Sequence, residues 1–135
     1  MTTLRYLLDT NICIYIAKKR PLSVSNKLEK RKLGEVAMSI ITYGELLFGA
    51  EKSQQTKKTK EILEELMTLI PPVEMDIEAC KHYAHIRALL EKQRKPIGNN
   101  DLWIASHALA LNVTLVTNNA KEFLRIPHLK VENWV

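Results

Sequence analysis

The sequence predicts an α/β fold, a three-layer sandwich in which a mainly parallel central sheet is flanked by helices. Three observations carry this: short apolar runs of strand length alternate with longer segments of helical character, residues 113–117 form a β-branched run, and helix-opening residues follow the strand candidates. At 135 residues, 46% of them hydrophobic, the chain is long enough for one core and too short for two, so residues 1–135 are read as a single domain.

Residues 4–8 are an apolar run ending in Asp9-Thr10-Asn11, a buried strand followed by a helix cap, with the helix over 12–18. A second helix is expected over 23–32, with Gly34 as its breaker, and the next strand over 36–41. Thr42 then opens another helix. Between 56 and 69 the apolar positions Ile62, Leu63, Leu66, Met67 and Ile70 recur at three and four residues, an amphipathic helix ended by Pro71-Pro72. Asp76 begins a long helix reaching about residue 94, and Pro96-Ile97-Gly98 stops it. A further helix starts at Asn99 or Asn100 and runs to Leu111, before the strand at 113–117. A short helix from Asn119 follows, and residues 131–135 are read as an edge strand.

The net charge of +5 favours polyanions near the surface, and it bears on function only where it lies beside acidic groups. The early apolar run at 12–17 is too short for a signal-peptide core or a membrane span, so a cytoplasmic protein without membrane association is expected. Cys13 and Cys80 lack the paired spacing of a zinc or redox motif and are read as reduced and structural.

Five residues form the candidate site. Asp9 follows the first strand, Glu45 lies one helical turn beyond the second, Asp101 sits in the first turn of the late helix, and Asn119 and Glu122 follow the last clear strand. With right-handed crossovers, all five converge at the carboxyl edge of the sheet. Singly, each has a local explanation: Asp9 and Asn119 are good N-caps, Thr42 with Glu45 and Asn119 with Glu122 resemble capping boxes, and Asp101 complements a helix dipole. Capping does not explain why these helix starts meet at one edge. Gathered carboxylates repel, and a hard divalent cation such as Mg2+, with Mn2+ as a substitute, neutralises them through oxygen ligands while keeping waters and accepting substrate phosphate. Such an ion activates water and offsets charge on a scissile phosphate.

Tyr6-Leu7-Leu8-Asp9-Thr10-Asn11, Ser39-Ile40-Ile41-Thr42-Tyr43-Gly44-Glu45-Leu46 with Gly49-Ala50, Ile97-Gly98-Asn99-Asn100-Asp101-Leu102-Trp103-Ile104-Ala105, and Leu115-Val116-Thr117-Asn118-Asn119-Ala120-Lys121-Glu122-Phe123 resemble, in order and spacing, the four signature segments of the VapC toxins, a PIN-domain family. The resemblance implies a magnesium-dependent endoribonuclease, usually a homodimer, held inactive by a VapB-type antitoxin that covers the site. By that resemblance Asp9 and Asp101 match the principal metal ligands and Glu45 the acid between them. Asn119 stands where the family's usual fourth acid would be, and Glu122, three residues on, is placed to supply the missing charge. Thr117-Asn118-Asn119 with Glu122-Phe123 is similar to the enterobacterial-type branch, whose members cleave initiator tRNA in the anticodon loop.

Other features have ordinary readings beside functional ones. Lys18-Lys19-Arg20, Lys27 with Lys30-Arg31-Lys32, Lys57-Lys58 with Lys60, and Lys92 with Arg94-Lys95 are solvated helix faces or, for the first and last, RNA contacts. Cys80, His82 and His85 share a helix but lack a fourth zinc ligand, and His107 and His128 are assigned no role. Trp103 and Tyr43 neighbour the acids and are suited to base stacking, although their apolar surroundings favour core packing. Ser39 and Thr10 either orient the carboxylates or act as caps. Leu46, Leu47 and Phe48, with the stripe at 56–69, suggest self-association unless the helix at Asp76 covers them. Two rival functions are a phosphatase with Asp9 as nucleophile, which lacks an acid at Asn11, and a non-catalytic PIN-like RNA- or partner-binding module.

Overall fold

The computed structural model describes residues 3–135. Its elements in chain order are β1 (Tyr6–Leu8), α1 (Thr10–Lys18), α2 (Leu22–Glu29), β2 (Val36–Ser39), α3 (Ile40–Glu51), α4 (Thr56–Leu69), β3 (Pro72–Val73), α5 (Ile77–Lys92), α6 (Asn99–Leu111), β4 (Thr114–Val116), α7 (Ala120–Phe123) and β5 (Val131–Glu132). The five strands form one sheet in the order β3-β2-β1-β4-β5, and every pairing is parallel.

Side chains on β1 alternate between two cores. Tyr6 and Leu8 join Val36, Met38, Val116, Trp134, Leu63 and Leu66 on the face covered by α1, α2 and α4, whereas Leu7 joins Ala37, Leu115, Ile86, Leu90 and Leu102 beneath α5 and α6. Because both faces are covered, β1 reads as a continuous apolar run. Leu7, Leu8 and Leu115 are fully buried, and each contributes on the order of 2 kcal/mol of apolar transfer free energy.

Helices α4 and α6 match their expected spans. The second strand is shorter than expected: it ends at Ser39, and α3 begins at Ile40 rather than at Thr42. The Ser39 side chain accepts from the Ile41 amide at 3.1 Å, and this cap overrides the strand preference of Ile40-Ile41. Thr42 is consequently buried inside the first turn, and the Thr42–Glu45 capping box does not form. Helix α2 stops at Glu29, before the Gly34 turn with its positive φ of 94°. Pro71-Pro72 was expected only as a helix stop, yet Pro72–Val73 is an edge strand: the Met38 amide donates to Pro71 O at 3.0 Å, and an edge tolerates proline's missing donor. At the opposite edge, β5 spans only the start of the segment expected at 131–135.

Helix α4, not the helix beginning after Asp76, packs on α3 and partly buries Leu46 and Leu47 against the core. Phe48 stays 64% exposed. Among the described residues, no helix is long and apolar enough to cross a membrane.

Candidate active site

In a parallel sheet each connecting helix starts at the carboxyl edge of the strand before it, so helix N-termini gather along one edge. Here β1 leads into α1, β2 into α3 and β4 into α7, while α6 brings its own first turn to the same edge before returning toward β4. The central position of β1 sets Asp9 between the neighbours β2 and β4.

Asp9 is only 6% exposed. Its carboxylate caps α1, Oδ1 accepting from the Ile12 amide at 3.0 Å, while its own amide donates to Val116 O at 3.0 Å. The Thr117 hydroxyl also hydrogen-bonds the carboxylate, and Thr117 Oγ1 accepts from the Asn119 amide at 2.9 Å. Burial nevertheless raises the Asp9 pKa above the ordinary carboxylate value, opposed by these hydrogen bonds and reinforced by Glu45.

Glu45 is fixed from α1: Thr10 Oγ1 lies 2.5 Å from Glu45 Oε1 and 3.2 Å from Thr42 Oγ1, so the α1 hydroxyl bridges to α3. Asp101 is half-buried in the first turn of α6, and its pKa is pushed up to about 6. Burial is the main cause; repulsion by Glu122, then Asp9, then Glu45 adds to it. Glu122 accepts from the Gly98 amide at 3.4 Å and from the Asn119 side-chain amide, so α7 is tied to the turn that opens α6. The expected Asn119–Glu122 capping box is replaced by this side-chain pair, since Asn119 makes no side-chain cap to the backbone.

Asp101 therefore feels the charges of Glu122, Asp9 and Glu45, and Asp9 that of Glu45, with Asn119 bonded to Glu122. Among the described residues the ion pairs are Arg5–Glu35, Lys60–Glu51, Lys81–Glu78 and Arg87–Glu91, and none neutralises this cluster. Nor are three His, Cys, Asp or Glu side chains, among the described residues, drawn tightly enough to cage an ion. Oxygen donors that are spread, repelling and partly solvated fit a cation that keeps waters and accepts phosphate oxygens, as magnesium does, better than a closed zinc-type site.

Three residues of this edge escaped sequence reasoning. Thr117 stands within a signature segment, but its contact with Asp9 was not foreseen. Gly98 serves through its amide. His107, assigned no role, is buried with Nδ1 2.8 Å from Ser39 Oγ and Nε2 3.2 Å from Glu74 O. Ser39 accordingly supports α3 and His107 rather than a carboxylate, in contrast to Thr10. Trp103 belongs to neither core; it stacks on Tyr83 with ring centroids 3.6 Å apart, while Tyr43 packs against the core as expected. Cys80 is an exposed free thiol, and His82 and His85 complete no metal site with it among the described residues.

Two grooves open from Glu45. One, of about 630 Å³, runs along Ile40, Gly44, Phe48 and Lys52 of the α3 side to Asn100; the other, of about 520 Å³ and more apolar, lies between α1, α3 and α4.

The PIN domain family model matches residues 6–129. Ribonuclease VapC1 of Haemophilus influenzae strain R2866 is 43% identical over 133 residues, covering 96% of this chain and 97% of that protein. The tRNA(fMet)-specific endonuclease VapC of Shigella flexneri is 38% identical over 131 residues, covering 97% and 98%. Among solved structures, VapBC2 from Rickettsia felis bound to a DNA fragment from their promoter superposes with a TM-score of 0.89 at 41% identity, covering 98% of this chain and 100% of the other. The carboxylate-lined edge thus sits in a fold and sequence shared along the whole length of these proteins, and the chain belongs to the PIN-domain family, among the VapC ribonucleases.

Proposed function

We propose that this protein is the toxin half of a type II toxin–antitoxin pair, a magnesium-dependent endoribonuclease acting in the cytoplasm as a homodimer. The observation that carries the reading is the gathering of Asp9, Glu45 and Glu122 around Asp101 at one sheet edge, with no basic side chain paired to them among the described residues. Relatives at 34–44% identity are named as ribonucleases or tRNA(fMet)-specific endonucleases, and the non-catalytic alternative gains nothing from them.

Asp9 and Asp101 would hold the ion, with Mn2+ as a substitute for Mg2+, and Glu45 would complete the shell or orient a water. Bound there, the ion lowers the pKa of water and offsets negative charge on the scissile phosphate. The chain's own part is positional. Thr117 holds Asp9, Thr10 holds Glu45, and Glu122 with Asn119 braces the turn bearing Asp101. As Glu45 is fixed by Thr10, its carboxylate is available to take a proton from an attacking water without rotating away.

The substrate proposed is initiator tRNA, as in the relatives named for it. The partner proposed is a VapB-type antitoxin, as in the VapBC complexes of the same fold. RNA ends mapped after brief expression in cells test the reading. Cuts confined to one tRNA loop, absent with Asp9→Asn, support it; an unchanged RNA population overturns it.

A further inference from the structure

A groove of mixed polar and apolar lining lies along α3. Ile40, Gly44 and Phe48 recur every four residues along one stripe of α3 that ends at its C-cap Lys52, with Thr10, Glu45 and Asn100 at the side where the carboxylates gather. Phe48 is 64% exposed, and the Lys52 ammonium sits 5.1 Å from the centre of its ring. An exposed aromatic beside a cation has the chemistry of single-stranded nucleic-acid binding: a π face for a base and a charge for a phosphate.

The glycines point the same way. Gly44 and Gly49 both lie inside α3, where glycine is less stable than alanine, yet an added Cβ at either would meet nothing within 4 Å. The chain's own packing does not require them. Glycine at these positions leaves the helix backbone open to close approach by a ligand.

We propose that this groove is the subsite for the nucleotides next to the scissile phosphate, taking single-stranded RNA with an unpaired base stacked on Phe48, a backbone phosphate against Lys52 and the chain passing over Gly44 and Gly49. The assignment rests on the nuclease reading and deepens it. Its volume of about 630 Å³ has room for one or two nucleotides, and it shares Thr10 and Glu45 with the carboxylate edge, so RNA held there runs directly into the site. Duplex RNA cannot use it, because stacking on Phe48 requires a base free of its own stack.

The test has a binding arm and a cleavage arm. In the Asp9→Asn background, fluorescence anisotropy with a fluorescein-labelled single-stranded oligoribonucleotide is measured for Phe48→Ala, Phe48→Tyr, Lys52→Ala and Gly44→Ala. Expected are about tenfold weaker binding for Phe48→Ala, near-parental binding for Phe48→Tyr, and a salt slope smaller by about one for Lys52→Ala. Gly44→Ala should raise Tm while weakening binding, a combination that a merely structural glycine does not produce. In the otherwise unaltered protein, Phe48→Ala should raise KM more than it lowers kcat. Unchanged affinity in Phe48→Ala and Gly44→Ala overturns the proposal, as does a fall in sedimenting mass at unchanged RNA affinity, which would make the groove a contact between copies. Should the unaltered protein fail to cleave RNA, the nuclease reading falls while the anisotropy arm still decides the groove.

Discussion

His107 Nδ1 on α6 lies 2.8 Å from the hydroxyl oxygen of Ser39, the residue that caps α3, and so joins the helix bearing Asp101 to the helix bearing Glu45. The neighbours settle the tautomer. Glu74 O accepts only, so Nε2 carries the proton and donates to it; Nδ1 is then an acceptor for the Ser39 hydroxyl, whose oxygen in turn accepts from the Ile41 amide. Every buried polar atom in this chain of bonds is satisfied.

His107→Leu leaves Ser39 and Glu74 O without their partner and should destabilise the protein by about 1 to 3 kcal/mol, read from denaturant midpoints. Ser39→Ala should cost a similar amount, and the double variant should cost less than the sum, because each change breaks the same bond. Strict additivity would show that the contact carries no energy.

Burial lowers the His107 pKa from its ordinary 6.5, so the fold holds this imidazole neutral. Below 6.5 the unfolded chain takes up a proton that the native state resists, and stability falls as pH drops. His107→Gln should flatten that limb of a stability profile.

Asp101 has the opposite sign. Its pKa rises from 3.8 unfolded to about 6 folded, so the native state binds more protons across that window and loses stability as pH rises through it. Asp101→Asn should stabilise the apo protein by about 1 to 2 kcal/mol above pH 7, allowing for solvent screening of a half-buried group, and should have no effect below the unfolded pKa. Thermal melts at the two extremes check this. Added magnesium should raise the Tm of the unaltered protein and not that of the variant.

Thr117→Val removes a donor that opposes the burial of Asp9, so the Asp9 pKa should climb further. Metal affinity should fall by about 10- to 100-fold, with activity partly restored by raising pH. An unchanged metal titration would detach Thr117 from the site.

Much of this was legible in the residues themselves. Apolar period with the Pro71-Pro72 stop marks the span of α4, the Pro96-Ile97-Gly98 break marks the start of α6 to within a residue, and the alternation of strands and helices was enough to bring Asp9, Glu45 and Asp101 to one edge. What stayed hidden depends on contacts distant in sequence. Pro72–Val73 is a strand only because β2 offers Met38 as a donor; Ser39 and His107 are 68 positions apart; and Trp103 leaves the core because Tyr83 on α5 stacks on it. No local pattern encodes these.

The central claim is that the gathered carboxylates work through a divalent ion, and cleavage of purified tRNA(fMet) by the purified protein across a magnesium titration tests it most directly. Cuts that appear with magnesium, stop with chelator, and are absent with Asp9→Asn at every concentration are the predicted result. Cleavage that persists in chelator, or that Asp9→Asn performs at the rate of the unaltered protein, would contradict it.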